Sequence, residues 1–320
     1  MICIATSNGV FICEHEREWR VVRRALDRQH VTSVSGREGV ILAGTADGLF
    51  RSTDRGRTWH GASAGLNERH VRWLSHHPEM PDLVFAGTEP AGIYVSWDGG
   101  TSWHGRGEVA RLRDEHHWSL PYSPAAGCIR GFAFIGERGY AAAEVGGVLR
   151  TDDRGVKWRL ADGSDGNPNL DGPPAPFVYP DVHSVELGDS PELVFAATGG
   201  GFYRSADGGA TWKCLYECYC RAVWVDLSEA QHLILGPADY VDSNGRIEES
   251  RDGGETWRAA SAELKVPWRR HMVERFAQAG SDLFAVLSNG ELYVTPHDSL
   301  QWRRILPDIK DVHAVAALAG

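Results

Sequence analysis

Short apolar runs recur along the whole chain, and each is broken by Gly, Asp, Ser or Asn before it reaches helical length. Val40-Ile-Leu-Ala-Gly-Thr45, Leu83-Val-Phe-Ala-Gly-Thr88 and Leu193-Val-Phe-Ala-Ala-Thr198 are built alike. A Gly-led run follows at a fixed distance, as in Gly48-Leu-Phe-Arg51, Gly92-Ile-Tyr-Val95, Gly147-Val-Leu-Arg150 and Gly201-Phe-Tyr-Arg204. A third run precedes them, such as His70-Val-Arg-Trp-Leu74 or Asp181-Val-His-Ser-Val185. Runs of four to six β-branched and aromatic residues between turn formers predict strands. Counting the strand after each conserved-looking Trp, every unit holds four, called A to D.

The turns between C and D share one pattern, Ser/Thr-x-Asp-x-Gly-x-x-Trp. It occurs at Ser52–Trp59, Ser96–Trp103, Thr151–Trp158, Ser205–Trp212 and Ser250–Trp257, with degenerate copies ending at Trp19 and Trp302. Those seven tryptophans are spaced 40, 44, 55, 54, 45 and 45 residues apart. Four short strands at that period predict an all-β, seven-bladed β-propeller with four antiparallel strands per blade. The first segment reads as B, C and D alone, and Asp311–Leu318 as a lone A. The ring is therefore expected to close by pairing residues 309–320 with 1–22, giving one domain over 1–320 without an open sheet edge. In the turn itself Ser and Asp can bond backbone amides and Gly accepts positive φ, so Asp54, Asp98, Asp153, Asp207 and Asp252 are assigned to structure.

These repeats resemble the Asp-box, or bacterial neuraminidase repeat, and the resemblance covers nearly the whole chain. Sialidases, some glucan-cleaving glycosidases, sortilin-type receptors and photosystem II stability/assembly factors share it. The resemblance implies a propeller whose ligand binds at the mouth of the central channel, on the face away from the Asp-box turns. It implies no single activity, because both enzymes and non-enzymes carry the repeat. The sialidase Arg-Ile-Pro tripeptide is missing from this chain, which leaves Arg72, Arg130 and Arg221, each near a strand A, to meet an anionic ligand.

Where one copy departs from the others, function is expected. Two linkers from Trp to the next strand A are about twice the usual length: Cys128 follows Trp103 by 25 positions and Asp181 follows Trp158 by 23, whereas His70 follows Trp59 by 11. Loops 104–127 and 159–180 therefore flank blade four. Strand B ends in Thr at Thr45, Thr88 and Thr198, but blade four has Glu144 there. Blade six has an enlarged loop, Pro237–Gly245, carrying Asp239, Tyr240 and Asp242. Five of the 14 histidines, His30, His70, His183, His271 and His313, fall on or at the start of strand A, and His117 lies in a long loop.

Carboxylates and imidazoles facing one opening suit general acid–base work or a divalent metal. Glu144, Asp181 and His183 are the candidate catalytic groups. Arg72, Arg130, Arg221, Asp239, Tyr240 and His117 are the candidate ligand contacts. His70, His183, His271 and Glu144 are the candidate ligands for Zn, Fe or Mn. The expected function is binding of a small molecule, glycan, peptide or protein at that mouth as a recognition scaffold. The alternative is a glycoside hydrolase or lyase, metal-assisted or not, using the same groups.

Composition narrows the field a little further. With 33 Lys+Arg against 43 Asp+Glu in 320 residues the chain carries −10, and it has no basic stripe to neutralise phosphate. Neither nucleic acid nor membrane is an expected partner. Six scattered cysteines, including Cys214, Cys218 and Cys220, read as free thiols, and the first residues lack a signal-peptide pattern. A cytoplasmic protein is expected.

Overall fold

In a computed structural model, residues 1–119, 127–169, 171–261 and 263–318 are described. Leu120 and Pro121 of the first long linker and Leu170 of the second lie outside them. The apolar runs form seven four-stranded antiparallel sheets, and the fold is a seven-bladed β-propeller, nearly all-β with one short helix. Among the described residues no helix is long and apolar enough to cross a membrane.

The chain divides into two compact units. One comprises residues 1–88, 94–105 and 274–320, and the other residues 89–93 and 106–273. In the first, the two ends of the chain share a sheet, in the order Val312–Ala317, Ile2–Thr6, Gly9–His15 and Trp19–Ala25. Ile4 pairs with Val315 on one side and with Phe11 on the other. Ile2, Ile4, Cys13, Phe284, Val286 and Val315 pack in one core there.

The second unit contains blades four, five and six. Blade four is Cys128–Ile135, Arg138–Glu144, Gly147–Thr151 and Arg159–Leu160. Blade five is Val182–Leu187, Val194–Thr198, Gly201–Ser205 and Lys213–Tyr216. Blade six is Tyr219–Val225, Leu233–Ala238, Glu248–Ser250 and Arg258–Ala259. Tyr140, Ala142, Val182, Val185, Ala196 and Trp212 fill the space between blades four and five. The linker expected as a loop over 104–127 instead begins with the short strand His104–Gly105 and continues into a helix, Gly107–Glu115, which buries only Val109.

Each repeated turn is closed as its residue types require. Ser96 Oγ donates to Asp98 Oδ1 (2.7 Å) and accepts from the Gly100 amide (2.8 Å). Asp98 Oδ1 also accepts from the Thr101 and Ser102 amides at 2.9 Å each. Desolvation opposes the charge on Asp98, but these donors outweigh it and bring its carboxyl down to about 2. Trp103 then reaches back and donates from Nε1 to the Ala62 carbonyl (2.9 Å), nearly sealed from water.

One irregularity repeats and matters for function. The A–B ladder skips Thr32 in blade two, Arg130 in blade four, His183 in blade five and Arg221 with Ala222 in blade six. The pairing of Ile2–Thr6 with Val312–Ala317 skips His313 in the same way. Such a bulge frees one residue from the pleat and re-aims its side chain.

Candidate functional site

Blade four departs from its neighbours at the end of strand B, and the consequence is local and physical. Where Thr stands there, its hydroxyl closes the following turn: Thr198 Oγ1 donates to the Gly201 carbonyl (2.8 Å) and accepts from the Gly200 amide (3.1 Å). Thr45 does the same with Gly48 and Asp47. In blade four the ladder sets Ala143, not the expected Glu144, in the threonine's place, opposite Ile129 and Gly147. Glu144 follows it in a B–C turn one residue longer. The next residue, Val145, sits at φ 66°, a left-handed conformation that a β-branched side chain resists.

The carboxylate goes inward instead, among groups from the starts of three strands. Cys128, opposite Glu144 in the ladder, donates from Sγ to Glu144 Oε2 (2.8 Å). The bulge residue Arg130 brings Nη1 to 3.4 Å from the same oxygen, and both side chains are about 6% exposed. The bulge residue of blade five, His183, turns Nε2 to 3.2 Å from Asp181 Oδ1 and 4.0 Å from Glu144 Oε1. Its Nδ1 meets the Cys220 carbonyl at 2.9 Å. A carbonyl only accepts, so Nδ1 carries the proton and Nε2 faces the carboxylates.

Asp181 is the outlet of this buried group, with its side chain 19% exposed. A Cβ on Gly199 would stand 2.5 Å from Asp181 Oδ2, and one on Gly200 would stand 2.3 Å from the Tyr179 ring. Two glycines are therefore needed for the chain to pass beneath Asp181 and Tyr179. Tyrosines surround the outlet. Tyr219 hydroxyl lies 3.5 Å from His183 Nε2, and its ring is 5.2 Å from the imidazole. Burial pushes the Tyr219 phenol up to about 12, with Asp181 adding to the effect against Arg221 and Arg130. Arg221 Nε donates to the Tyr219 hydroxyl (3.3 Å). Tyr240, 71% exposed, has its ring 6.2 Å from that of Tyr219. Burial first, then the charges of Asp181 and Asp171, raise the Tyr179 phenol as well.

The two long linkers are stitched together over blade four. Trp118, nearly sealed, donates from Nε1 to the Gly166 carbonyl (2.8 Å) and packs where a Cβ on Gly146 would intrude.

The structure thus brings together Glu144, Asp181, His183, Arg130, Arg221 and Tyr240. Asp239 stands apart from the buried group, in an exposed ion pair with Arg246 (3.2 Å) and bonded to Asn244. His117 is exposed just past the helix at φ 52°, its position set by the helix end. His271 lies against Trp268, with rings 5.4 Å apart, and is not one of the converging ligands. His70 and Arg72 belong to the strand His70–His76 of the first unit, where the Arg72 carbonyl accepts from Arg275. Among the described residues the acid, imidazole and thiol groups that converge as potential metal donors are Glu144, Asp181 and His183, with ligand atoms all within 4.8 Å of one another. That replaces the His70 and His271 of the expected metal set with Asp181.

Sequence reasoning passed over Cys128, Tyr179 and Tyr219. The signal was present for two of them: Cys128, Asp181 and Tyr219 are each the first residue of the strand-A segment, so aligning the repeats at that position reads them off together.

No family model matches this chain, and no curated protein matches it. Solved structures do. One is the GH74 xyloglucanase from Xanthomonas campestris, at TM-score 0.63 and 16% identity over 96% of this chain and 47% of that one. Another is YCF48 bound to D1 peptide, at TM-score 0.59 and 14% identity over 90% and 87%. A putative 6-phosphogluconolactonase from Bacteroides uniformis matches at TM-score 0.64 and 12% identity over 98% of both chains. The likeness is one of fold. The chain spans less than half the length of the GH74 structures it matches.

Proposed function

We propose that this chain is a ligand-binding propeller with a recognition or scaffold role. Its ligand, a glycan or a peptide segment, would rest on Tyr240, Tyr219, Arg221 and Asp181. Glu144, His183 and Arg130 form the rigid base beneath. The observation that carries this reading is the B–C turn of blade four, one residue longer than those of blades two and five, which sets the buried carboxylate of Glu144 under that platform. Tyrosine offers large contact area with little rotamer entropy to lose, and Arg and Asp supply directed hydrogen bonds. The five closed Ser/Thr-x-Asp turns support reading the chain as a member of the Asp-box superfamily. Six free thiols support a reducing, cytoplasmic compartment.

The second reading, a glycoside hydrolase or lyase, has one point in its favour. Ligand oxygens of Glu144 and Asp181 fall within 4.8 Å, near the ~5–5.5 Å carboxyl spacing of retaining glycosidases. Against it, Glu144 is sealed and held by a thiol and a guanidinium, which suits a fixed anion and not an acid that must meet a glycosidic oxygen. Glycan and peptide arrays on the full chain test the choice. Saturable binding that falls at least tenfold in both Tyr240→Ala and Arg221→Ala is expected. Sugar release from a glycoside panel that disappears in Glu144→Gln would overturn the binding reading.

A further inference from the structure

We infer that Glu144, Asp181 and His183 form a binding site for one divalent transition-metal ion of the Mn–Fe–Zn group. The inference goes beyond ligand recognition by the tyrosines and does not depend on it.

Three oxygens from three residues converge on one nitrogen. Asp181 Oδ1, the Tyr219 hydroxyl and Glu144 Oε1 lie 3.2, 3.5 and 4.0 Å from His183 Nε2. A proton on Nε2 points along one line and serves one of them. A cation among them serves all. Donors at ~2.0–2.2 Å from a metal lie roughly 3–3.6 Å from each other, so small side-chain shifts turn the observed spacing into a coordination shell. His183 is 1% exposed, and its Nδ1 is committed to the Cys220 carbonyl. That is the arrangement by which a backbone carbonyl fixes the tautomer and aims Nε2 at a metal. Glu144 is oriented in the corresponding way, with Oε2 occupied by Cys128 and Arg130 and Oε1 turned toward His183. One imidazole with two carboxylates favours Mn²⁺, Fe²⁺ or Zn²⁺ over soft-metal ions. Only Asp181 reaches solvent, so the open coordination positions would face the tyrosines, where an oxygen of a bound ligand could complete the shell.

The test is calorimetric titration of chelator-stripped, full-length protein with Zn²⁺ alone and with Mn²⁺ alone, read beside thermal melts with and without metal. One equivalent should bind, and zinc should raise the melting temperature. Asp181→Asn and His183→Gln should each weaken binding by more than about 100-fold, beyond the ~10–100-fold expected for the outer-shell change Cys128→Ser. Far-ultraviolet circular dichroism verifies that each variant is folded. Asp181, at the surface, provides a variant that keeps the fold even if the buried His183→Gln does not. Cobalt substitution of the wild type gives an independent reading, because a bound Co²⁺ shows visible ligand-field bands that Asp181→Asn should abolish. Absence of stoichiometric binding, or equal affinity in wild type and Asp181→Asn, would overturn the site and reduce His183 and Asp181 to a structural pair. Loss of glycan or peptide binding in Tyr240→Ala bears only on the ligand platform, since these titrations contain metal and nothing else.

Discussion

Replacing Trp103 by Ala isolates what the repeated tryptophan contributes. The ring is buried, and its N–H reaches out of its own turn to the Ala62 carbonyl at 2.9 Å. Truncation removes the ring's packing and leaves that carbonyl without its donor, a loss of ~3–5 kcal/mol for a buried aromatic. For 320 residues at ~2.1 cal/mol/K each, the unfolding entropy is roughly 0.7 kcal/mol/K, so about 4 kcal/mol lowers the melting temperature by about 6 °C. Trp103→Phe separates the two contributions. It keeps a six-membered ring in the site and loses the hydrogen bond with only part of the packing, ~2–3 kcal/mol or about 3–4 °C. Trp59 is an internal control, because it is half-buried and its Nε1 returns to Gly56 in its own turn (3.2 Å). Its truncation should cost roughly half as much as that of Trp103. Calorimetric melts of the three variants settle the matter. A Trp103→Ala protein melting within a degree or two of wild type, or a Phe variant as damaged as the Ala one, would refute the reasoning.

Asp98→Ala should lower stability by ~1–2 kcal/mol through lost turn hydrogen bonds while leaving ligand and metal binding intact, as urea titration and calorimetry can check. Stability should peak near pH 6.5. Above it Glu186, whose carboxyl burial raises to about 8, gives up stability as pH rises toward 8, and below it two imidazoles lose more than Glu186 returns. Burial, then charge from Arg37 at His76 and from His30 and Arg275 at His313, holds both imidazoles at about 4, so between pH 6.5 and 4 the unfolded chain takes up protons that the folded chain refuses. Asp98 and Asp252, both at about 2 against an ordinary 3.8, extend the loss from about pH 4 to 2, because their stabilisation exists above the unfolded value and goes as pH drops through the folded one. A urea midpoint that rose from pH 7 to 5 would contradict this. Deleting residues 309–320 removes the strand Val312–Ala317 that pairs with Ile2–Thr6, and a truncated protein melting like the full chain would sink the shared blade.

The blades were legible because their punctuation is chemical. Gly, Asp and Trp stand at fixed offsets for turn geometry and burial, and tertiary context had no reason to override them. Glu144 stood out by its distance from Gly147, but the ladder puts Ala143 at the position of Thr45 and Thr198 and Glu144 one residue further on. An extra turn residue shifts the count without changing the apolar pattern. The helix Gly107–Glu115 was not legible. Arg106 before it makes no side-chain cap, and with Val109 alone buried it shows no apolar stripe to announce its period. The bulges were equally hidden, since one extra residue in a strand leaves the pattern of apolar positions almost unchanged.

Those bulges explain why the site residues fall where they do. In blades four to six the second residue of the strand-A segment, Ile129, Val182 or Cys220, is buried in the blade and fixed by packing. The first and third, Cys128 and Arg130, Asp181 and His183, Tyr219 and Arg221, share the other side, because a strand alternates and the third is released from the ladder by the bulge. A residue out of the ladder can change type without disturbing the pairing on either side of it. The same position is Thr32 in blade two and His313 in blade one, so it varies while the fold around it does not. Chemistry in this protein is therefore expected at two places per repeat, the head of strand A and its bulge. A third is added in blade four, where Ala143 stands in the threonine's place and Glu144 follows it in a longer B–C turn. Blades one, two and five keep the closure at Thr6, Thr45 and Thr198, whereas in blade four Glu144 joins the head of that blade to the head of blade five.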